Sequence, residues 1–449
     1  MRTRVGAALL LAIAAPTLAK APPEEIARLH TILTPIGAER AGNPEGIIPN
    51  WSGGLTTAPA CYQGAGHRRC DPFPDDKPLF TITAQNIERF RDRLSAGQAE
   101  MLRKYPSTYR INVYPTRRTA AYPDFVYDAT LKNALNAEFV GAGDNIIRAT
   151  AGVPFPIPHY GIEPIWNHKL RYRGPGLRRF NEQVVVSETG SFNVLCTRED
   201  VRFSHSVRGA TTESLNNVMA YFLQITVAPP RFAGNIVLIH ETLDALKEPR
   251  RAWQFNSGQR RMHRSAAFGY DNPAVAADGL RTYDQADTFN GPTDRYIWKL
   301  LGKREVFIPY NAYRLHSDQY KLRDVVHRAH INPDLARYEL HRVWVVEATL
   351  KQNVSHIYAR RVFYLDEDSW QIALVDLYDR RGNLWRWQEA HTIEAYDQPF
   401  PLPVLETVYD LTSERYLAAT LNNEDPETDV WEFPVSYFDP ANVAKLVLK

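Results

Sequence analysis

Between Arg342 and Ala390 four strand-like runs follow one another closely: RVWVVEATLK, HIYARRVFYL, SWQIALVDLYD and NLWRWQEA. Each is rich in β-branched and aromatic residues. The connections carry turn chemistry. Asp366-Glu367-Asp368 joins the second run to the third, and Asp379-Arg380-Arg381-Gly382-Asn383 joins the third to the fourth, with Gly382 free to take a positive φ. This spacing predicts a continuous antiparallel meander. The third run constrains the fold most, because Trp370, Ile372 and Leu374 alternate with Ala373, Val375 and Leu377. Successive side chains of a strand point to opposite faces, so this strand is apolar on both. Each face therefore needs a cover, and the cover either completes a layered core or leaves the wall of a hydrophobic cavity.

The start of the chain has the form of a secretory signal. Arg2 and Arg4 make a basic beginning, Val5 to Ala15 an apolar stretch, and Thr17-Leu18-Ala19 a small-residue cleavage site, so residues 1–19 are expected to be removed. No cysteine lies at that site, which argues against a lipid anchor. No later run reaches the roughly 20 apolar residues of a transmembrane helix. Lys+Arg 53 against Asp+Glu 51 gives a formal charge of +2, and loss of Arg2 and Arg4 takes it to 0. With no basic, aromatic-interleaved run, nucleic acid is not an expected partner.

Three cysteines fit export. Cys61 and Cys70 flank the loop YQGAGHRR and are expected to form a disulfide, while Cys196, inside the strand-like FNVLCT, reads as a buried free thiol. The rival for the pair, a metal site with His67, has no clear fourth ligand. No metal or cofactor is expected elsewhere.

Residues 20–150 read as an arm with surface helices, and residues 151–449 as the sheet with inner helices. Ile47, Ile48 and Trp51 are candidate anchors of the arm. A helix is expected from Asn86 after a Thr83 cap, broken at Gly97 and resumed to Tyr105, and another over Asp124 to Ala137. Pro154 to Gly174 reads as a stiff extended path, in which His159 and His168 are either ligands or satisfiers of backbone groups. Strands are expected at 235–242 and 251–259, the latter with a hairpin at Ser257-Gly258, and as two separate pieces at 295–301 and 304–309.

Five ordered motifs carry a resemblance: GAERAGNPEGIIPNWSGG, PFPIPHYGIEPIWNHKLRYRG, WQFNSGQRRM, DTFNGPTDRYIWKLLGKREVFIPYNAY and YARRVFYLDEDSW. Together they resemble an exported proteobacterial family, domain of unknown function 1329, which in turn resembles the periplasmic carriers that sort outer-membrane lipoproteins. The resemblance implies a β-rich α+β fold: a large curved antiparallel sheet, an incomplete β-barrel wrapped around helices, with an extended N-terminal arm. It also implies a lipid-like or lipoprotein acyl cargo, an inner-membrane permease of the resistance-nodulation-division type and an outer-membrane protein as partners. On that reading Trp253, Phe255, Trp344, Phe363, Trp370, Trp385 and Trp387 are candidates for the cavity wall, with plain core packing as the alternative.

Enzyme signatures are missing. No G-x-S-x-G occurs, and His327-Arg328-Ala329-His330 lacks both the spacing and the Glu of a zincin helix. No catalytic residue is therefore named, although a hydrolase or lyase built on two convergent carboxylates and a structural adaptor at the outer membrane stand as alternative readings.

Overall fold

The four runs from Arg342 onward form the middle of a much larger sheet. A computed structural model describes residues 21–448, so the expected signal at 1–19 lies outside the described residues. In chain order the first ten strands are β1 (Phe80–Ile82), β2 (Ile111–Val113), β3 (Glu138–Val140), β4 (Asn145–Ile147), β5 (Gly176–Val186), β6 (Phe192–Phe203), β7 (Val218–Ala228), β8 (Ile236–Thr242), β9 (Arg251–Asn256) and β10 (Arg261–Arg264). The remainder are β11 (Tyr296–Pro309), β12 (Tyr338–Leu350), β13 (Arg360–Asp366), β14 (Ile372–Tyr378), β15 (Leu384–Glu394), β16 (Pro401–Asp410), β17 (Tyr416–Leu421) and β18 (Asp429–Val430). Sixteen strands make one open sheet, ordered β1, β2, β12 to β17, then β5 to β10, with β11 added on β12 and β18 on β5. The pairing of β12 with β2 is parallel, and the other pairs of this sheet are antiparallel.

Both faces of the meander are covered. On one face Leu374, Tyr364 and Trp387 join the main core, into which the arm's Ile36, Ile48, Met101 and Leu102 also pack. On the other, Val375, Leu377, Phe363 and Val346 pack around Ile165 and Phe289. The C-terminal helix Pro440–Leu448 covers a third region, where Val443 and Phe438 meet Leu223, Leu238 and Phe255.

The arm is fixed to the sheet by buried charge. Ser95 caps the helix Ala96–Lys104 with a reciprocal Gln98 box. Asp376, on an otherwise apolar strand, accepts from the backbone N–H of Gly97 at 2.8 Å and of Ala96 at 3.1 Å. Gly97 does not break this helix, contrary to expectation. It stands in the first turn because a Cβ there would lie 2.1 Å from Trp387 Cδ1. The chain just before it is a 3-10 helix, Ile87–Arg93.

The Asp366-Glu367-Asp368 turn is buried, not solvated as its composition suggests. The arm lies across it. Arg118 forks onto Asp368 at 2.7 and 2.8 Å and donates to the carbonyl of Glu39 at 2.7 Å. Lys303 reaches Glu367 at 2.7 Å.

Two further expectations are corrected. Pro154 to Gly174 is not extended throughout: Ile162–Leu170 is a buried α-helix that tolerates Pro164 in its first turn, where no intrahelical donor is needed. The two pieces at 295–301 and 304–309 are one strand, β11, bulged between Leu300 and Gly302, with Gly302 at φ 98°. The Cys61–Cys70 disulfide is present, and Cys196 is a buried free thiol.

Because Arg118 neutralises a buried carboxylate, Arg118→Ala is expected to destabilise the protein by about 3–5 kcal/mol and to expose the arm to protease. A denaturant midpoint within error of wild type would show that the arm is held by apolar contacts alone.

Candidate functional site

Strands β5 to β8 differ from the meander on the face they share with β16 and β17. Here alternate residues are mixed: Leu177, Arg179, Asn181 and Gln183 on β5, and Leu195, Thr197, Glu199, Val201 and Phe203 on β6. Phe222 and Gln224 on β7 and Val237, Ile239 and Glu241 on β8 continue the pattern. Residues 268–290 cross above this face without filling it, and leave a partly enclosed cavity of about 220 Å³. Its rim is a loop pinned by Ala274 N–H donating to Arg281 O at 2.8 Å, with Ala276 and Asp278 at positive φ and Val275 55% exposed.

Apolar side chains form most of the wall, including Phe203, Phe222, Ile239, Phe268 and Leu402, and a polar belt runs through it. Glu199 accepts from Arg179 Nε at 2.8 Å, Asn181 Nδ2 at 2.7 Å and Gln224 Nε2 at 3.1 Å. Asp287 pairs with Arg171 at 2.5 Å and with Arg173 at 2.6 Å, and Arg173 also lies 4.1 Å over the Phe203 ring. Glu241 is held by Arg250 Nε at 2.8 Å, by Asn290 Nδ2 at 3.1 Å and by the Tyr270 hydroxyl.

These pairs set the protonation states. Burial would raise Glu199 and Asp287, yet Arg179 holds the first, and Arg171 with Arg173 the second, below the ordinary carboxylate range. Glu406 is different. Among the described residues it receives only the Thr288 N–H, at 3.5 Å, and burial with the nearby charge of Asp287 pushes it up from 4.5 to about 7. Burial also lowers Arg281, which has no carboxylate within 4.0 Å among the described residues.

His168 does not enter the cavity. It is fully buried, with Nδ1 accepting from the Ile372 N–H at 3.1 Å and Nε2 2.8 Å from the Asp287 carbonyl, and burial pushes it down to about 3. His159 pairs with Glu25 at 2.9 Å.

A second buried cluster, His341, Asp366 and Asp368, has ligand atoms within 4.8 Å of one another. Each is already engaged. Arg118 occupies Asp368, Tyr310 and Ser369 donate to Asp366 at 3.2 and 2.6 Å, and His341 Nε2 lies 3.2 Å from Glu339. Burial and Asp368 push Asp366 up to about 6. This cluster is the latch of the arm.

None of the seven aromatic residues read from the sequence as cavity wall lines the cavity. Phe363, with Trp344 and Trp385 against it, packs in the meander's own cluster; Trp370 and Trp387 belong to the main core; Trp253 and Phe255 pack under the C-terminal helix. They are spread over both faces because those strands are covered by tightly packed chain, and Trp344 stacks on Trp370 at 6.4 Å. The cavity residues escaped notice because leucine alternating with arginine and glutamine has the pattern of a strand with one solvated face.

The sequence model of one family, described as protein of unknown function (DUF1329), matches residues 81–444. The chain belongs to this family. It is 45% identical over 434 residues to the protein of Pseudomonas aeruginosa called uncharacterized protein PA3922, covering 97% of this chain and 95% of that one. Among solved structures, a domain described as an outer membrane lipoprotein-sorting protein domain, from Vibrio parahaemolyticus, is 14% identical, with 63% of this chain and 98% of that chain covered at a TM-score of 0.44. A DUF1329 family protein from Desulfovibrio piger is 11% identical over 60% of this chain and 92% of that chain, at a TM-score of 0.41. Among the described residues no helix is long and apolar enough to cross a membrane.

Glu406 yields a signed prediction. An unfolded glutamate loses its proton near 4.5 and the folded one near 7, so this group's contribution is complete below pH 4.5 and is lost as pH rises through 7. Glu406→Gln is therefore expected to be more stable than wild type at pH 8, with the difference vanishing toward pH 4. Equal denaturant midpoints across that range would contradict the shift.

Proposed function

We propose that this protein is a carrier for a hydrophobic, lipid-like small molecule, held between strands β5–β8 and the segment that crosses them. The cavity carries this reading. At about 220 Å³ it lies just below the roughly 300–1,000 Å³ typical of small-molecule sites, so it suits one acyl chain or a compact ring system and leaves a larger head near the rim. Its apolar wall gives non-directional attraction, about 25 cal/mol per Å² buried, which suits a cargo that must be bound and released. The acids Glu199, Glu241 and Asp287 are each held by arginine, which favours a binding wall over a hydrolytic pair of carboxylates.

The basic, then apolar, then small-residue start of the chain supports a periplasmic setting for this work. There the cargo would pass between an inner-membrane permease of the resistance-nodulation-division type and the outer membrane, as the family resemblance implies.

An environment-sensitive apolar dye is expected to bind the folded protein and to be displaced by extracted lipid. Phe222→Glu, in the cavity wall, should abolish dye binding while most of the melting temperature is retained. Trp344→Glu, in the packed meander, should lower the melting temperature and leave the surviving folded fraction able to bind. Absence of dye and lipid binding by folded wild type would overturn the carrier reading.

A further inference from the structure

Four guanidinium groups line the cavity: Arg173, Arg179, Arg250 and Arg281. Three are neutralised by carboxylates, Arg173 by Asp287, Arg179 by Glu199 and Arg250 by Glu241. Arg281 is the exception. Its Nη2 donates to Gln183 Oε1 at 2.9 Å, its buried Nε has no partner, and no carboxylate lies within 4.0 Å among the described residues. Gln183 is in turn oriented by donating to the Ala276 carbonyl at 2.9 Å, so it holds the guanidinium in place and adds no charge. A half-buried cation whose Nε–H is buried without a partner is costly unless an anion completes it.

Glu406, also in the lining, is underused in the complementary sense, since the Thr288 N–H at 3.5 Å is its one side-chain hydrogen-bond contact among the described residues. Resting on the carrier reading above, we infer that the cargo carries a carboxylate at one end of its apolar body, seated on Arg281 with Glu406 facing it. One guanidinium balances one negative charge. The other three arginines of the lining are already paired with carboxylates, so a second negative charge would find no free guanidinium, and a monoanionic carboxylate fits better than a phosphate monoester. A protonated Glu406 donates its O–H to one carboxylate oxygen while Arg281 donates to the other, so both underused groups gain partners. Phe203, Phe222 and Ile239 then cover the apolar body.

Calorimetric titration of the full chain with dodecanoate, dodecanol and dodecyl phosphate tests this, using wild type, Arg281→Gln and Arg281→Lys. Wild type is expected to bind dodecanoate at least about tenfold more tightly than dodecanol, as a charge-assisted pair in a buried site requires. In Arg281→Gln the affinities for acid and alcohol should converge, and Arg281→Lys should keep part of the preference. Removal of a half-buried charge with no carboxylate within 4.0 Å among the described residues should not lower the denaturant midpoint of Arg281→Gln, so loss of folding does not mimic the result. Equal binding of acid and alcohol by wild type, or a preference that survives Arg281→Gln, would overturn the carboxylate inference and leave the carrier reading standing. Tighter binding of dodecyl phosphate than of dodecanoate would also overturn it. If folded wild type binds none of the three, both readings fall.

Discussion

A sheet that is apolar on both faces cannot stop at one layer, and most of this structure follows from that constraint. Residues 342–390 supply the two-sided strands, and the rest of the chain is distributed to cover them. The N-terminal arm lies on one face, where Met101 and Leu102 enter the main core. The helix Ile162–Leu170 and residues 265–295 lie on the other, where Ile165 and Phe289 meet Phe363 and Val375. Covers of this kind are long irregular segments, and their backbone polar groups must be satisfied against the sheet. Hence the buried polar side chains set against the sheet: Asp376 closes the start of the helix Ala96–Lys104, Arg118 closes the acidic turn, and a neutral His168 takes the Ile372 N–H.

The same constraint explains the position of the cavity. Where the sheet is two-sided and apolar, its covers pack without a gap, and the aromatic side chains Trp344, Phe363, Trp370 and Trp387 are consumed by that packing. Over β5 to β8 the inner face is mixed in polarity, and a dry packed layer would strand Arg179, Glu199 and Gln224. The covering segment instead stands off, and the polar belt pairs within itself, except at Arg281 and Glu406. The apolar side chains between these polar groups, Phe203, Phe222, Ile239 and Leu402 among them, leave a concave wall against which a small apolar molecule gains by burial.

Much of this was legible in the residues. The meander, its turn at Gly382, the helix after Pro123, the hairpin at Ser257-Gly258 and the Cys61–Cys70 pairing follow from local rules of alternation, capping and spacing. What was not legible depends on partners far away in sequence. Asp-Glu-Asp reads as a solvated turn until Arg118, some 250 residues earlier, is laid across it. Gly97 reads as a breaker until Trp387 is seen to fill the space its side chain would need. The cavity was sought among tryptophans because large aromatic residues bury most area, yet its wall alternates leucine with arginine and glutamine. Of the arginines clustered at 171, 173, 178 and 179, only Arg173 and Arg179 line it, so even that cluster does not mark the cavity in the sequence.

Cargo in the cavity is the central claim, and native mass spectrometry of protein isolated from the cells that make it tests it most directly. One bound small molecule per chain, released by organic solvent and absent from a variant in which Ala220→Phe fills the cavity, is the expected result. A mass equal to the polypeptide alone, in wild type and variant alike, would contradict it.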